Sequence, residues 1–413
     1  NTGTIAAKGD ITLTNTGTSG GGSATIEING TGNQILTGSG TIDQGCLPMV
    51  NINKASGNLT LASIITSVNN WTFTSMGTGS LITTGSTVVF NASTTITGSH
   101  TLNNVTFNNT SGSGLSATIA SGTTLTVNGT LTISGTNWIN LNTGTIAAKG
   151  DITLTNTGTV SGTATLNLTG TADQAFINNA SATSFQLATT VNKSSGTVTK
   201  SGTGGFYKPL TITSGILSLT DNTLFSDNVT VSSGGTLTCG TAGTTITVGS
   251  AKTITVNSGG TITCQGAVGS LVNLTGSAAW NLAVLTGAAY TMDYVQPTYS
   301  NASTSYQAIV ATNSTDGGNN VNWSLTGGLS SASVVPATLV AGITGNATAS
   351  FTTQTAIPID GKIAITFPTG FNVASAGFSS ATGVDGTLTP SVAGQVVTLT
   401  RSGGTASAAG AKT

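Results

Sequence analysis

The chain has 413 residues, of which 57 are Gly and only 5% are charged, and its formal net charge is −1. Disordered chains combine low hydrophobicity with high net charge, whereas 37% of these residues are hydrophobic. Ten Lys and Arg residues without a basic cluster exclude an electrostatic nucleic-acid surface. No apolar run reaches the length of a membrane helix, so we expect no membrane span in this segment.

The first eighteen residues, NTGTIAAKGDITLTNTGT, return unchanged at 142–159. The likeness continues, because ATIEINGTGNQ at 24–34 resembles ATLNLTGTADQ at 164–174, and VNINKASGNLTL at 50–61 resembles TTVNKSSGTVTK at 189–200. The small drift in spacing places the length changes between strands, where they are best tolerated. We infer an internal duplication of residues 1–141 and 142–about 280.

Short alternations of Thr with an apolar residue, each followed by a turn, recur along the chain. TITV at 245–248, TITV at 253–256 and TITC at 261–264 start eight residues apart, too close for a crossover helix. GGTLTCG at 234–240 returns as GGTITCQG at 259–266. Three such units make a coil of about 24 residues, which is typical of stacked repeats.

This periodicity predicts an all-β fold: a right-handed parallel β-helix (β-solenoid) over residues 1–326. We expect roughly thirteen coils and a rod of about 65 Å. The second copy of the opening phrase would lie about six coils along, on the same face. A string of antiparallel sandwiches is the alternative architecture, since it would also show short alternating strands.

The C-terminal part of the sequence changes character twice. Residues about 280–326 gather Trp280, Tyr290, Tyr294 and Trp323, which predicts a C-terminal cap on the rod. Four of the seven prolines then fall within 336–390, and residues 327–413 are typical of a small immunoglobulin-like β-sandwich. It has five or six strands by residue 401, followed by a weakly structured SGGTASAAGAKT, so we expect either that the chain is cut inside this domain or that a neighbouring molecule supplies the missing edge strand.

Several phrases resemble large repetitive prokaryotic cell-surface proteins, in which β-strand-repeat solenoids precede immunoglobulin-like modules. They are GSTVVFNASTTITGSHTLNNVTFNNTSG (85–112), VNKSSGTVTKSG, NSTDGGNNVNW and IPIDGKIAITFPTGF. The resemblance implies a surface-layer, adhesin or fibre protein located outside the cell, at its surface.

The acidic residues do not form the pairs that glycoside hydrolysis requires. None occurs as D-x-D or D-D, and Asp221 and Asp227, six residues apart, are more simply turn residues. The one histidine, His100, has no carboxylate near it in sequence, and we expect a solvated turn residue rather than a catalytic base. The DGGNN at 316–320 lacks a calcium-binding Asp ladder and is predicted to be a turn.

The remaining polar and sulfur-containing groups also have simple interpretations. Lys8 and Asp10, repeated as Lys149 and Asp151, should point outward as a weak i, i+2 pair or a repeated contact point for a neighbouring subunit. Cys239 and Cys264 should face the core one rung apart, as free thiols or, less simply, as a disulfide, while Cys46 stands alone. These spacings predict neither a metal site nor a cofactor site.

We therefore expect a non-catalytic structural protein that self-assembles into a surface layer or extracellular filament. Its partners would be copies of itself, joined by β-strand complementation at the C-terminal module, with surface glycans as a further partner. The first alternative is an adhesin stalk that binds a host surface or glycan through an aromatic cluster near 280–323. The second is a polysaccharide-processing β-helix enzyme, which would need two converging carboxylates.

Overall fold

The computed structural model describes residues 2–17, 22–109, 113–180, 185–326, 329–353 and 356–413. Within these ranges the protein is all-β, as predicted, and contains no helix. It follows that no described segment forms an apolar helix that could cross a bilayer.

The strands up to residue 325 pair in parallel. In chain order, the first twelve are β1 (Thr4–Ala7), β2 (Ile11–Thr12), β3 (Thr25–Ile28), β4 (Gln34–Thr37), β5 (Met49–Asn53), β6 (Leu59–Ala62), β7 (Ile64–Ser67), β8 (Trp71–Ser75), β9 (Leu81–Ile82), β10 (Thr87–Phe90), β11 (Thr94–Thr97) and β12 (His100–Leu102). The next twelve are β13 (Asn104–Asn109), β14 (Leu115–Ile119), β15 (Thr124–Val127), β16 (Leu131–Gly135), β17 (Ile139–Asn142), β18 (Thr145–Ala148), β19 (Ile152–Leu154), β20 (Val160–Leu168), β21 (Gln174–Asn178), β22 (Phe185–Ser201), β23 (Leu210–Leu219) and β24 (Thr223–Phe225). The last are β25 (Val229–Val231), β26 (Gly235–Cys239), β27 (Thr245–Val248), β28 (Thr253–Val256), β29 (Thr261–Gln265), β30 (Val272–Thr275), β31 (Trp280–Val284), β32 (Ala289–Asp293), β33 (Val295–Pro297), β34 (Ser300–Asn301), β35 (Ile309–Ala311) and β36 (Trp323–Leu325).

These strands build a parallel β-solenoid of about 12 turns, which confirms that part of the predicted fold. A typical coil contributes three strands, as β17, β18 and β19 do, and each strand pairs with its counterpart in the next coil. The predicted alignment of 234–240 with 259–266 is also confirmed, because Leu237 pairs with Ile262. The antiparallel-sandwich alternative is wrong for this part of the chain.

The core is a set of columns in which one inward side chain from each coil lies on the next. Alternation along each strand produces them, since β15 buries Leu125 and Val127 and leaves Thr124 and Thr126 half-buried. Burial of each aliphatic side chain contributes about 1.5–3 kcal/mol. One column of fully buried residues in direct register runs through eight coils: Val127, Ala148, Leu168, Val191, Ile212, Val231, Val256 and Val284.

The corners between strands require close approach of successive coils. Gly77 has φ +55°, and a Cβ atom built on it would lie 1.9 Å from the Ala55 carbonyl oxygen. Glycine is therefore needed there both for the left-handed backbone and for the absence of a side chain. Gly85, at the next corner, has φ +77° but open space around it.

The two copies of the opening phrase do not lie on the same side of the rod. Six successive parallel pairings lead from β1 through β3, β5, β8, β11 and β14 to β17. The second copy of TIAA is the following strand, β18, which pairs with β15 and β20. The expectation of a shared face is therefore wrong, because the repeat spans six coils and one further strand.

The segment predicted as a cap continues the parallel pairing. β31 pairs with β28, β32 with β29, and β35 with β36. Trp323 and Leu325 on β36 pack partly buried against the core cluster. In the described part of the chain, this stretch therefore forms the final coils.

The remaining strands are antiparallel and form two small sheets. They are β37 (Leu329–Pro336), β38 (Ala347–Thr353), β39 (Lys362–Thr366), β40 (Thr387–Ala393), β41 (Val396–Ser402) and β42 (Gly410–Lys412). One sheet has the order β37-β38-β42 and the other β39-β41-β40. The tail after residue 401 was expected to be weakly structured, but β42 pairs with β38 and Lys412 is buried.

Candidate functional site

Most acidic side chains accept hydrogen bonds, and four of them accept from a backbone N–H group of a neighbouring coil: Asp10, Asp151, Asp173 and Asp221. The Asp10 carboxylate accepts a hydrogen bond from Ile35 N at 2.9 Å, and its repeat, Asp151, accepts one from Ala175 N at 2.8 Å. Among the other acids, all except Asp360 also accept a hydrogen bond: Glu27, Asp43, Asp173, Asp221, Asp227, Asp293, Asp316 and Asp385. Their observed use is to hold the fold together.

The acidic pair nearest in sequence is divided between two separate contacts. Asp221 accepts from Gly202 N at 2.7 Å, whereas Asp227 forms an ion pair with Lys252 at 2.8 Å. Hydrogen bonding to Lys252 lowers the pKa of Asp227, so this carboxyl group is poorly suited to act as a general acid at neutral pH. The turn interpretation of both residues accounts for these contacts.

Lys8 and Asp10, with Lys149 and Asp151, are exposed as predicted. The weak i, i+2 ion pairs do not form, since Lys252–Asp227 is the only salt bridge within the described ranges. Both aspartates instead hold the strand of the next coil, which leaves the two lysines as the outward charges of the repeated phrase.

Two buried lysines occupy equivalent positions in the duplicated blocks, where the repeat aligns the Lys of VNINKASGNLTL with the Lys of TTVNKSSGTVTK. Lys54 is 1% exposed and donates hydrogen bonds to Gly30 O, to Gly32 O at 3.0 Å and to Gln34 Oε1 at 2.5 Å. No carboxylate is among these partners. Burial lowers the pKa of Lys54.

Lys193 repeats this arrangement in the second block. It is also 1% exposed and donates to Thr169 O at 3.3 Å, Ala172 O at 2.8 Å and Gln174 Oε1 at 2.7 Å. Burial lowers its pKa, and the charge of Asp173 partly opposes that shift. We call the three oxygen acceptors around each lysine ammonium group an ammonium cage.

The glutamine of each ammonium cage extends it to a third coil. Gln34 Nε2 donates to Ala7 O at 3.1 Å and Gly9 O at 2.6 Å. Gln174 Nε2 likewise donates to Ala148 O at 3.0 Å and Gly150 O at 2.7 Å. The lysine and glutamine side chains together therefore connect three successive coils through hydrogen bonds.

A third lysine, Lys200, lies directly in the core. It is fully buried and in register between Phe176 and Leu219. Its ammonium group donates to Gly202 O at 2.7 Å and Thr223 Oγ1 at 3.2 Å. Burial lowers its pKa to about 8, against the smaller opposing effect of Asp221.

His100 is buried, and the expectation of a solvated turn residue is wrong. Its ring stacks on Phe73 with centroids 5.2 Å apart, and Nδ1 lies 2.7 Å from Gly98 O. The carbonyl oxygen requires Nδ1 to be the donor, and Nε2 has no hydrogen-bond partner among the described residues. Burial lowers the pKa of His100, so it is a neutral core side chain without a reacting partner.

The two cysteines on neighbouring coils are buried and do not form a disulfide. Cys239 and Cys264 are direct register partners, as the parity of their strands predicted, and both are free thiols. Burial, followed by the contact with Cys239, raises the pKa of Cys264. Cys46 is half-buried, and its thiol donates to Asp43 O at 3.6 Å. Within the described ranges no group of three His, Cys, Asp or Glu residues has metal-binding geometry.

The DGGNN segment forms a turn closed by its own side chains. Asp316 Oδ1 accepts from Gly318 N at 2.8 Å and from Asn320 Nδ2 at 2.6 Å. Asn320 also donates to Pro297 O at 2.7 Å, which attaches the turn to the preceding coil.

Of the four aromatic residues that predicted a cap, Trp280 lies in the core, and Tyr290 and Trp323 pack against it. Trp280 is 1% exposed and donates through Nε1 to Thr298 O at 2.9 Å. The Tyr290 hydroxyl accepts from Val310 N at 3.2 Å, and Trp323 packs against the core. In the described part of the chain no ring contact joins Trp280, Tyr290, Tyr294 and Trp323.

The two C-terminal sheets enclose an open groove of about 600 Å³. Its apolar lining includes Leu325 of β36 and, from β37, β38 and β39, the side chains of Leu329, Val334, Phe351, Ile363 and Ile365. β37 and β39 are edge strands of their sheets, and Val335 on β37 is 60% exposed. An incompletely covered apolar interior between unpaired edges is a surface that another strand could cover.

Buried cations in this region follow the same rule as in the solenoid. Arg401 is 2% exposed and donates to four backbone carbonyls, among them Ile357 O at 2.9 Å and Pro358 O at 2.7 Å. Lys412 donates to Ala408 O at 2.7 Å. Half of the ten basic residues are therefore buried and satisfied mainly by carbonyl oxygens: Lys54, Lys193, Lys200, Arg401 and Lys412.

Comparison with known proteins gives no relative: no protein-family model, curated protein or solved structure matches the chain.

Proposed function

We propose that the protein is a non-catalytic structural component of a cell surface, which assembles with copies of itself into a layer or filament. The β-solenoid is its rigid spacer, and the C-terminal sheets form an immunoglobulin-like module through which neighbouring molecules join. β-Solenoids serve both enzymes and structural proteins, so the function is inferred from side chains rather than from the fold.

The observation that carries the proposal is that ten of the eleven acidic residues accept a hydrogen bond within the protein and half of the ten basic residues are buried in its interior. Carboxylates such as Asp10 and Asp151 bind backbone N–H groups, and Lys54 and Lys193 bind carbonyl oxygens. His100 is buried against Phe73. A catalytic centre needs such groups converging on open space, whereas here they join coil to coil.

The groove between the C-terminal sheets supports self-assembly by strand complementation. A β-strand from a second molecule would pair with β39 and bury apolar side chains against Val334, Phe351 and Ile365. The bond would combine main-chain pairing with apolar burial and would need no charge, in keeping with a chain that has few charged residues.

Negative-stain electron microscopy and sedimentation velocity of the full chain test this proposal. We expect ordered fibres or sheets, and we expect Val334→Lys to abolish them because it places a charge in the groove. Val268→Lys is the matched control, since Val268 is a 75%-exposed residue of the solenoid. A protein that stays monomeric at high concentration, or a Val334→Lys variant that assembles like the control, would contradict the proposal.

The adhesin and enzyme alternatives are less well supported by the positions of their side chains. An adhesin stalk would bind through an aromatic cluster, but Trp280 is buried inside the solenoid. A polysaccharide-processing enzyme would use two converging carboxylates, but Asp221 and Asp227 are engaged by Gly202 and Lys252 respectively.

A further inference from the structure

The two ammonium cages have the composition of a binding site for a primary amine. In each, the ammonium group donates to two main-chain carbonyl oxygens and one glutamine Oε1, which matches the three N–H donors of a lysine. The acceptors are neutral, so the cage recognises the cation through dipoles rather than through a carboxylate.

The cage is positioned by contacts that do not involve the lysine. Gln34 Nε2 is held by Ala7 O and Gly9 O, and Gln34 Oε1 also accepts from Gly30 N at 3.0 Å. A Cβ atom at position 30 would lie 2.3 Å from Lys8 O, so glycine keeps this corner compact. The oxygen acceptors are therefore oriented by the neighbouring coils and not only by the bound cation.

We propose that each cage is a site specific for primary alkylammonium ions, which the chain fills with its own Lys54 or Lys193. When the side chain is shortened to Ala, the space left corresponds to three methylene groups and an ammonium group. A propylammonium ion supplies these atoms and the three donors, so it would occupy the cage and restore the contacts between coils. A quaternary ammonium ion carries the same charge but has no N–H to donate.

The test is chemical rescue of the full-length Lys54→Ala/Lys193→Ala variant. Its urea unfolding midpoint is measured in propylammonium chloride and in tetramethylammonium chloride at equal concentrations. We expect a lower midpoint than for the wild type, and a saturable rise towards the wild-type value with propylammonium alone, because a ligand that binds only the folded state stabilises it by mass action. Wild-type protein, whose cages are filled, should show no such difference between the salts.

Several outcomes would overturn the inference. Equal effects of the two salts would mean a general salt effect, and a folded variant that does not respond to propylammonium would mean that the cage does not bind the free ion. If the double variant is unfolded, its refolding is compared in the same salts, and failure to refold in propylammonium also counts against the proposal. The Lys193→Ala single variant, which retains the Lys54 cage, should show a smaller loss with the same ion selectivity.

Discussion

Lys200→Met tests whether a positive charge is carried inside the core. The side chain is fully buried, and its pKa is about 8 in the folded protein against an ordinary value of 10.5. That difference corresponds to about 3 kcal/mol. When Lys200 is protonated in both the folded and the unfolded state, this is the free energy by which burial of its charge destabilises the folded state.

The sign follows from proton binding. Between pH 8 and 10.5 the unfolded chain holds a proton on Lys200 more often than the folded protein does, so the free energy of unfolding rises with pH in this window. Below pH 8 both states are protonated and the contribution is constant. Asp221 is the charged group that acts on Lys200.

The assay is equilibrium urea unfolding of wild type, Lys200→Met and Lys149→Met at several pH values from 7 to 10.5. Lys149 is exposed, so its variant is the control for loss of a lysine charge. We expect the wild type and the control to gain about 3 kcal/mol more over this range than Lys200→Met does. Methionine cannot donate hydrogen bonds to the carbonyl oxygens, but this offset is the same at every pH and leaves the comparison of slopes unaffected. Parallel pH profiles for wild type and Lys200→Met would refute the reasoning.

Three further predictions concern the corners, the thiols and the histidine. Gly77→Ala should lower the free energy of urea unfolding by about 1–3 kcal/mol more than Gly85→Ala does. Both substitutions strain the backbone, but only the one at position 77 also brings a Cβ atom into collision with the Ala55 carbonyl oxygen. Equal losses would show that the coils do not approach as described. Cys239 and Cys264 should resist alkylation in native protein and react in urea, as followed by mass spectrometry, and rapid native labelling would contradict their burial. His100→Phe should reduce the loss of protein stability as the pH falls below 6.5. The pKa of His100 is lower in the folded state than in the unfolded state, so protonation in this range favours unfolding of the wild type. An unchanged dependence of the thermal unfolding temperature on acid pH would count against this prediction.

The repeat architecture could be predicted because strand parity is strict in a half-buried sheet. The register of Leu237 with Ile262 follows from two matching phrases one coil apart. The same alternation along the strands also determines which polar residues are buried. Lys200 shares the parity of Val198, and His100 shares that of Leu102, so both side chains point inward. For His100, position in the strand alternation therefore determines burial more strongly than the polarity of the side chain does.

Other features depend on contacts that a single sequence does not reveal. The oxygen acceptors of Lys54 come from the turn of the preceding coil, and their direction is set by corner geometry. The side of the rod reached by the second copy depends on how many residues each corner takes, which varies between coils. The pairing of β42 with β38 is similarly non-local, and SGGTASAAGAKT has no apolar alternation to indicate it.

Because the duplicated block spans six coils and one further strand, it repeats by a translation along the rod axis combined with a rotation about that axis. The same surface residues therefore lie on a neighbouring side of the rod one block further along, as Lys8 and Lys149 do in the turns that follow β1 and β18. Three blocks in succession would bring the pattern back to the side on which it began. Repetition of this kind distributes identical surface residues around the axis; under the proposed self-assembly, one short sequence would present the same contact to neighbours on several sides.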